Sequence, residues 1–152
     1  MVRAGERFEF IFKLSGDLAK VHLPPASAIS SRRDELWKKT CFEVFISPAG
    51  SESYWELNLS PSGDWNCYAF DSYRKGMHVE NHATIGPIAV KSGSTSFELR
   101  AALSLSRWLT PEQSLNISAT AVIELAESGP TYWAVRHMRD EPDFHLRESF
   151  VI

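Results

Sequence analysis

Residues 36–77 read LWKKTCFEVFISPAGSESYWELNLSPSGDWNCYAFDSYRKGM, and their alternation decides the fold. Three aromatic-rich segments, 41–47, 54–60 and 64–70, read as strands separated by turn residues. Side chains alternate faces along a strand, so parity sorts them. In 41–47, Phe42, Val44 and Ile46 share one face and Cys41, Glu43, Phe45 and Ser47 the other. In 54–60, Trp55, Leu57 and Leu59 share one face and Tyr54, Glu56, Asn58 and Ser60 the other. The two wholly apolar sets must face the core, because a one-residue slip would expose them all. The loop 48–53 then allows an antiparallel register with Glu43 opposite Asn58 and Phe45 opposite Glu56. Glu43, Glu56, Asn58 and Phe45 thus form one patch on the outer face. From 64–70 the patch gains either Trp65 and Cys67 or Asn66 and Tyr68; parity leaves both open.

Outward from this segment, alternation continues. Phe8, Phe10, Phe12 and Leu14 mark a strand that ends at the turn Ser15-Gly16-Asp17, and residues 18–23 predict a short returning strand before Pro24-Pro25. Residues 26–35 read as a loop or a single helical turn. The stretch 71–95 is weakly patterned, apart from a possible strand at 85–91. Residues 97–105 and 115–125 alternate cleanly. Residues 109–113 carry a capping sequence for one helical turn. The turn 127–130 leads into a strand at 132–138, and the tail DFHLRESFVI admits a last short strand. Strands at these intervals with almost no helix predict an all-β, antiparallel β-sandwich (jelly-roll or immunoglobulin-like). No repeat, low-complexity tract or linker interrupts residues 1–152, so one domain is expected.

Composition narrows the function. The chain has 152 residues, 43% hydrophobic and 23% charged, with five Trp and a formal net charge of -3. No basic stripe is present for a phosphate backbone, so nucleic acid is not an expected partner. No apolar run approaches a membrane span of about 18 residues or more. The start, MVRAGERFEFIF, lacks the apolar region and cleavage site of a signal peptide, so a cytoplasmic location is expected. Cys41 and Cys67 fall on strands separated by a third, roughly 9–10 Å apart at two strand spacings. That exceeds the reach of a disulfide, about 7 Å, and predicts reduced, buried thiols.

Glu43 and Glu56 carry the chemistry, because a charge inside an apolar strand is costly unless something pairs with it. In one reading they pair with Arg33, Arg74 or Arg136 in a buried network beneath a covering segment. In another they bind a ligand: rings beside carboxylate and amide groups are the composition of a sugar site, where the ring covers a C–H face and polar groups take hydroxyls. In a third, the two carboxylates act as a glycosidase pair, about 5–5.5 Å apart in retaining enzymes; a flat sandwich face, lacking a cleft to exclude water, argues against it. Nucleophile-elbow and glycine-rich phosphate motifs are absent.

The order LW-x-x-TCFE-x-F-I, YWELN-x-SPSG-x-W, Y-x-F-x-x-YR-x-GM, YWA-x-RH and PDFH resembles the DOMON-like family, in particular its small bacterial members, and is more distantly similar to family 9 carbohydrate-binding modules. The resemblance runs from about Arg32 to Phe150. It implies a β-sandwich that binds a small ligand without chemistry of its own, sugars and haem being the ligand classes of the wider superfamily. Carried onto this chain, it makes Trp37, Trp65, Tyr68 and Trp133 the available rings. Glu43, Glu56, Asn58 and Arg74 are the polar candidates, and Arg136 and His137 of the fourth motif complete the set. Members of the family begin with an additional segment before the strand matching 8–14, which implies a late start or a missing edge strand here.

Haem needs axial ligands facing each other across the porphyrin. Met77, His137, Met138 and His145 are the available donors, but adjacent His137 and Met138 point to opposite faces of a strand. Asp143 and His145 lie on one side of an extended segment, where they either ligate a divalent ion or pin the tail through a charge-assisted hydrogen bond. The pin is the expectation. No cofactor and no metal are therefore expected, and the partner is a small sugar-like molecule.

Overall fold

The computed structural model describes the backbone of residues 2–4 and all of residues 7–152. Eleven strands are described: β1 (Val2–Ala4), β2 (Arg7–Ser15), β3 (Cys41–Pro48), β4 (Tyr54–Leu59), β5 (Trp65–Phe70), β6 (His78–Val79), β7 (Thr84–Ile85), β8 (Ala89–Ser92), β9 (Ser96–Ser104), β10 (Leu115–Leu125) and β11 (Gly129–Ala134). They form two antiparallel sheets. One runs β1-β2-β9-β7, with β8 also on β9; the other runs β11-β10-β3-β4-β5-β6. The sheets face each other as a β-sandwich, as the alternation predicts.

The core between them is built from the apolar parities. Phe8, Phe10, Phe97, Leu99, Leu103 and Leu105 come from the first sheet and its exit. Phe42, Val44, Ile46, Trp55, Leu57, Leu59, Ile117 and Ile123 come from the second. The predicted register is the observed one: Glu43 pairs with Asn58 and Phe45 with Glu56. β5 settles its open parity through the pairs Leu57–Cys67 and Glu56–Tyr68. Asn66 and Tyr68 therefore join the outer patch, while Trp65 and Cys67 enter the core. Cys41 and Cys67 are free and buried, on β3 and β5 with β4 between them.

Four local expectations are corrected. Residues 18–23 do not return as a strand beside β2, whose partners are β9 along its whole length and β1 over Arg7–Glu9. Instead Leu18–Lys20 makes a 3-10 turn, with Asp17 accepting from the Ala19 N–H, and Val21 bridges to Leu125 at the far sheet. The 109–113 segment makes turns only, such as Gln113 N–H to Thr110 C=O at 3.2 Å. The last hairpin strand spans Gly129–Ala134 and stops short of 135–138. The tail makes a 3-10 turn at Arg147–Ser149, and then Ile152 exchanges two backbone hydrogen bonds with Ile117 beyond the end of β11.

Candidate functional site

The outer face of the second sheet carries two polar rungs where a one-sided sheet would meet water. One runs Thr120–Glu43–Asn58–Asn66 and the next Ser118–Phe45–Glu56–Tyr68. All eight side chains are buried, because two segments fold over them. The first is the loop preceding β3. Asp34 accepts from Tyr68 Oη and Asn66 Nδ2, both at 2.9 Å. Arg32 donates to Asn66 Oδ1 and to the carbonyls of Glu80 and Ala83. Thus anchored, the 3-10 turn Leu36–Lys38 lays Trp37 edge-on against Tyr68, with centroids 5.5 Å apart.

The second segment is the C-terminal tail, which seals the Phe45 half of the face. Phe150 and His145 pack on Phe45 at 5.6 and 5.2 Å. The expected pin is present in a fuller form: Asp143 accepts from Arg74 Nη2 at 2.9 Å and from the Tyr73 hydroxyl, and its Oδ1 also takes the His145 N–H. His145 Nδ1 lies 2.8 Å from the Tyr54 hydroxyl. Arg74 itself sits in the left-handed region, φ 54°, on the loop between β5 and β6. Gly76 in that loop has φ 69°, and a Cβ there would run into the Asp71 carboxylate. Gly76→Ala is therefore expected to lower stability by about 1–2 kcal/mol in urea unfolding, chiefly through left-handed backbone strain.

Between the two segments the face stays open. A cavity of about 380 Å³ has Glu43, Glu56 and Val122 from the sheet among its lining residues. Its remaining walls are Trp37, Phe70, Arg74, Met77, Tyr132, Pro142, Phe144 and His145. Glu43 is 3% and Glu56 5% exposed, yet neither has a cationic hydrogen-bond partner among the described residues. Thr120 Oγ1 donates to Glu43 Oε2 at 3.1 Å, and Asn58 Nδ2 to Glu56 Oε1 at 2.8 Å. The other oxygen of each makes no hydrogen bond among the described residues; His145 Nε2 stands 3.8 Å from Glu56 Oε2. The arginine network expected beneath a cover is not formed. Arg33 pairs with Asp64 and Arg74 with Asp143, while Arg136 is exposed.

Burial sets the protonation of this floor. It drives the Glu43 carboxyl up to about 8, assisted by the Glu56 charge and opposed by the Thr120 hydroxyl. Burial lifts Glu56 to about 7 against the Asn58 amide and the Arg74 charge. His145 is driven down to about 4 by burial and then by Arg74, with Asp143 opposing. At neutral pH the floor is therefore acid-rich but partly protonated, able both to donate to and accept from a ligand hydroxyl.

Of the ten candidate residues, Trp37, Glu43, Glu56 and Arg74 line the cavity. Asn58 lies beneath it, holding Glu56, and Tyr68 backs Trp37. Four residues lie elsewhere. Trp65 is in the core, with the Arg32 guanidinium 4.1 Å over its ring. Trp133 pairs with Ala121, on the core-side parity of β10, and at 63% exposure lines an apolar groove at the sandwich edge. Arg136 and His137 follow β11; His137 tilts against the outside of Phe144. The ring that β11 supplies is Tyr132, opposite Val122. Parity could have found it, because the tight turn at 126–128 fixes the hairpin register and even-numbered residues of β10 share Glu43's face. Phe70 ends β5 on the parity of Asn66 and Tyr68, whereas Phe144 and His145 reach the cavity through the tail's path, which no local pattern encodes.

The donor set suits haem poorly. Met77 and His145 both reach the cavity, but the ring nitrogens of His145 are turned to Tyr54 and Glu56, and His137 lies outside. Among the described residues no group of three or more His, Cys, Asp or Glu side chains could hold a metal ion. No described helix is long and apolar enough to cross a membrane.

No protein-family model matches the chain, and no curated protein matches it. Among solved structures, the fold is similar to a crystal structure described as a "putative carbohydrate-binding protein" from Bacteroides uniformis ATCC 8492. The TM-score is 0.67 at 15% identity, over 97% of this chain and 72% of that one. At that identity the likeness establishes the β-sandwich fold.

Proposed function

We propose that this protein is a non-catalytic binding module for a small carbohydrate, held in the cavity on the outer face of the second sheet. One observation carries the reading: two buried carboxyls without cationic partners form the floor of a cavity walled by Trp37, Phe70, Tyr132 and Phe144. Rings offer apolar faces to sugar C–H groups, and the carboxyls bind hydroxyls in either protonation state. The volume lies near the lower end of the range for small-molecule sites, about 300–1,000 Å³, and suits one or two sugar units rather than a long chain. The solved neighbour's description as carbohydrate-binding agrees with this ligand class, as does the resemblance to DOMON-like and family 9 modules.

Binding rather than hydrolysis follows from where the carboxyls stand. Glu43 and Glu56 project from adjacent strands of one sheet face, so they approach a ligand from the same side. Glycosidases place their pair on either side of the scissile bond. A thermal-shift and calorimetric screen over mono- and oligosaccharides tests the reading, since a ligand of the native state must raise the melting temperature. No shift at millimolar concentrations of any sugar sinks it. Trp37 is only half-buried, so Trp37→Ala is expected to weaken the bound sugar roughly tenfold or more while leaving the fold intact.

A further inference from the structure

The charge count of the cavity restricts what can enter it. Among the described residues of its walls Arg74 is the one cation, and it is matched by Asp143 at 2.9 Å. His145 carries no charge at neutral pH, having been driven to about 4. The remaining charged groups are Glu43 and Glu56, both more than nine-tenths buried, each with one carboxyl oxygen that has no hydrogen-bond partner among the described residues. Their other neighbours add no positive charge: Cys41 and Tyr54 from the sheet are neutral, and Asn58 and Thr120 are uncharged. A neutral sugar would satisfy the free oxygens but leave any ionised carboxylate uncompensated, at the expense of a buried charge.

The walls point the same way. Trp37, Phe70, Tyr132 and Phe144 present π-systems around this acidic floor. Aromatic faces attract cations, and a cage of rings over carboxylates is the composition that selects an ammonium group. An ammonium offers its hydrogens to the free oxygens of both carboxyls.

We propose that the ligand of this cavity carries a protonated amine, an amino sugar being the form consistent with the carbohydrate reading on which this inference rests. The ring carbons of the sugar lie against the aromatic walls, and its ammonium sits between Glu43 and Glu56. Since both carboxyls are partly protonated when the cavity is empty, the arriving charge ionises them and expels protons to solvent.

Calorimetric titration of the whole chain at about pH 6.5, where the sugar amines are charged, tests this. Glucosamine, galactosamine and mannosamine are compared with their neutral parents and N-acetyl derivatives, with ethanolamine as the non-sugar protonated amine. The expected result is at least one amino sugar bound roughly tenfold or more tighter than its neutral parent, because the added strength of a charge-assisted hydrogen bond over a neutral one changes affinity by about that much. Heats in buffers of different ionisation enthalpy should report release of roughly one to two protons, since both carboxyls are largely protonated at that pH. The double variant E43Q/E56Q, whose folding is checked by its unfolding transition, should bind both forms of that sugar equally. Neutral or N-acetylated sugars binding as well as the amines would overturn the ammonium while leaving the carbohydrate reading standing. Ethanolamine binding with no sugar binding would uphold the protonated amine and overturn the carbohydrate. Silence across the panel overturns both.

Discussion

Replacing Glu43 and Glu56 together by Gln is expected to stabilise the protein on the order of 5 kcal/mol at pH 8.5, while leaving it nearly unchanged at pH 4.5. The sign follows from burial. Each carboxyl is harder to ionise in the folded chain than in the unfolded one, moving from 4.5 to about 8 for Glu43 and to about 7 for Glu56. Between those values the folded state holds more protons, so raising the pH favours unfolding, and the full penalty is present above pH 8. Gln keeps the shape and cannot ionise, which removes the penalty. Its added N–H group must still find an acceptor, which offsets part of the gain.

His145 shapes the acid side. Its value falls from 6.5 to about 4, so the folded state holds fewer protons there and stability rises as pH climbs through that window. Two carboxyls outweigh one imidazole, which places the optimum around pH 5 rather than at neutrality. Melting temperatures of the native chain and the double variant across pH 4–9 check this. A native profile flat from pH 5 to 8.5 would show that the carboxyls ionise freely, and the open cavity would then be more hydrated than its burial implies. Where a ligand cation occupies the site, the alkaline fall should shrink, since binding to the native state compensates the same charges.

The reach of the sequence can be judged from these same residues. Glu43 and Glu56 were placed on one face by period-two alternation alone, and the wholly apolar partner face fixed the register because a slip would have exposed Phe42, Val44, Leu57 and Leu59 together. β5 offered no such leverage: Trp65 and Cys67 could pack as well on either side. Its parity is fixed by contacts more than thirty residues away in sequence, Arg32 over Trp65 and Asp34 on Asn66 and Tyr68. In β11 the hairpin register decides between adjacent rings, setting Tyr132 opposite Val122 on the cavity face and Trp133 opposite Ala121 on the other. The tail was harder still. DFHLRESF alternates weakly, and its function as a wall depends on Asp143 meeting Arg74 across the molecule. Local pattern encodes faces; what lies over a face is tertiary.

That wall supplies the other large effect. Phe150→Ala is expected to cost about 3–5 kcal/mol and lower the melting temperature by roughly 10 °C. Phe150 is 5% exposed and fills the space against Phe45 and Tyr54, with the Arg147 guanidinium 4.6 Å over its ring. Truncation leaves a cavity in the second apolar cluster and removes the main hydrophobic hold on the tail. Beside the smaller apolar contacts of Phe144 and Leu146, what remains is polar: Asp143 on Arg74, His145 on Tyr54, Arg147 on the Ser51 carbonyl and the Ile152–Ile117 pair. Such bonds contribute about 1 kcal/mol each, and near the surface less. The loss should therefore reach the site as well as the fold, because Pro142, Phe144 and His145 are walls of the cavity. Hydrogen exchange separates the two consequences. In the variant, the amides of His145 and Ile152, bonded to Asp143 and Ile117, should exchange faster than the core amides of β3 and β4. If instead every amide accelerates equally, the tail and the sandwich unfold as one unit, and the cavity wall is as firm as the core beneath it.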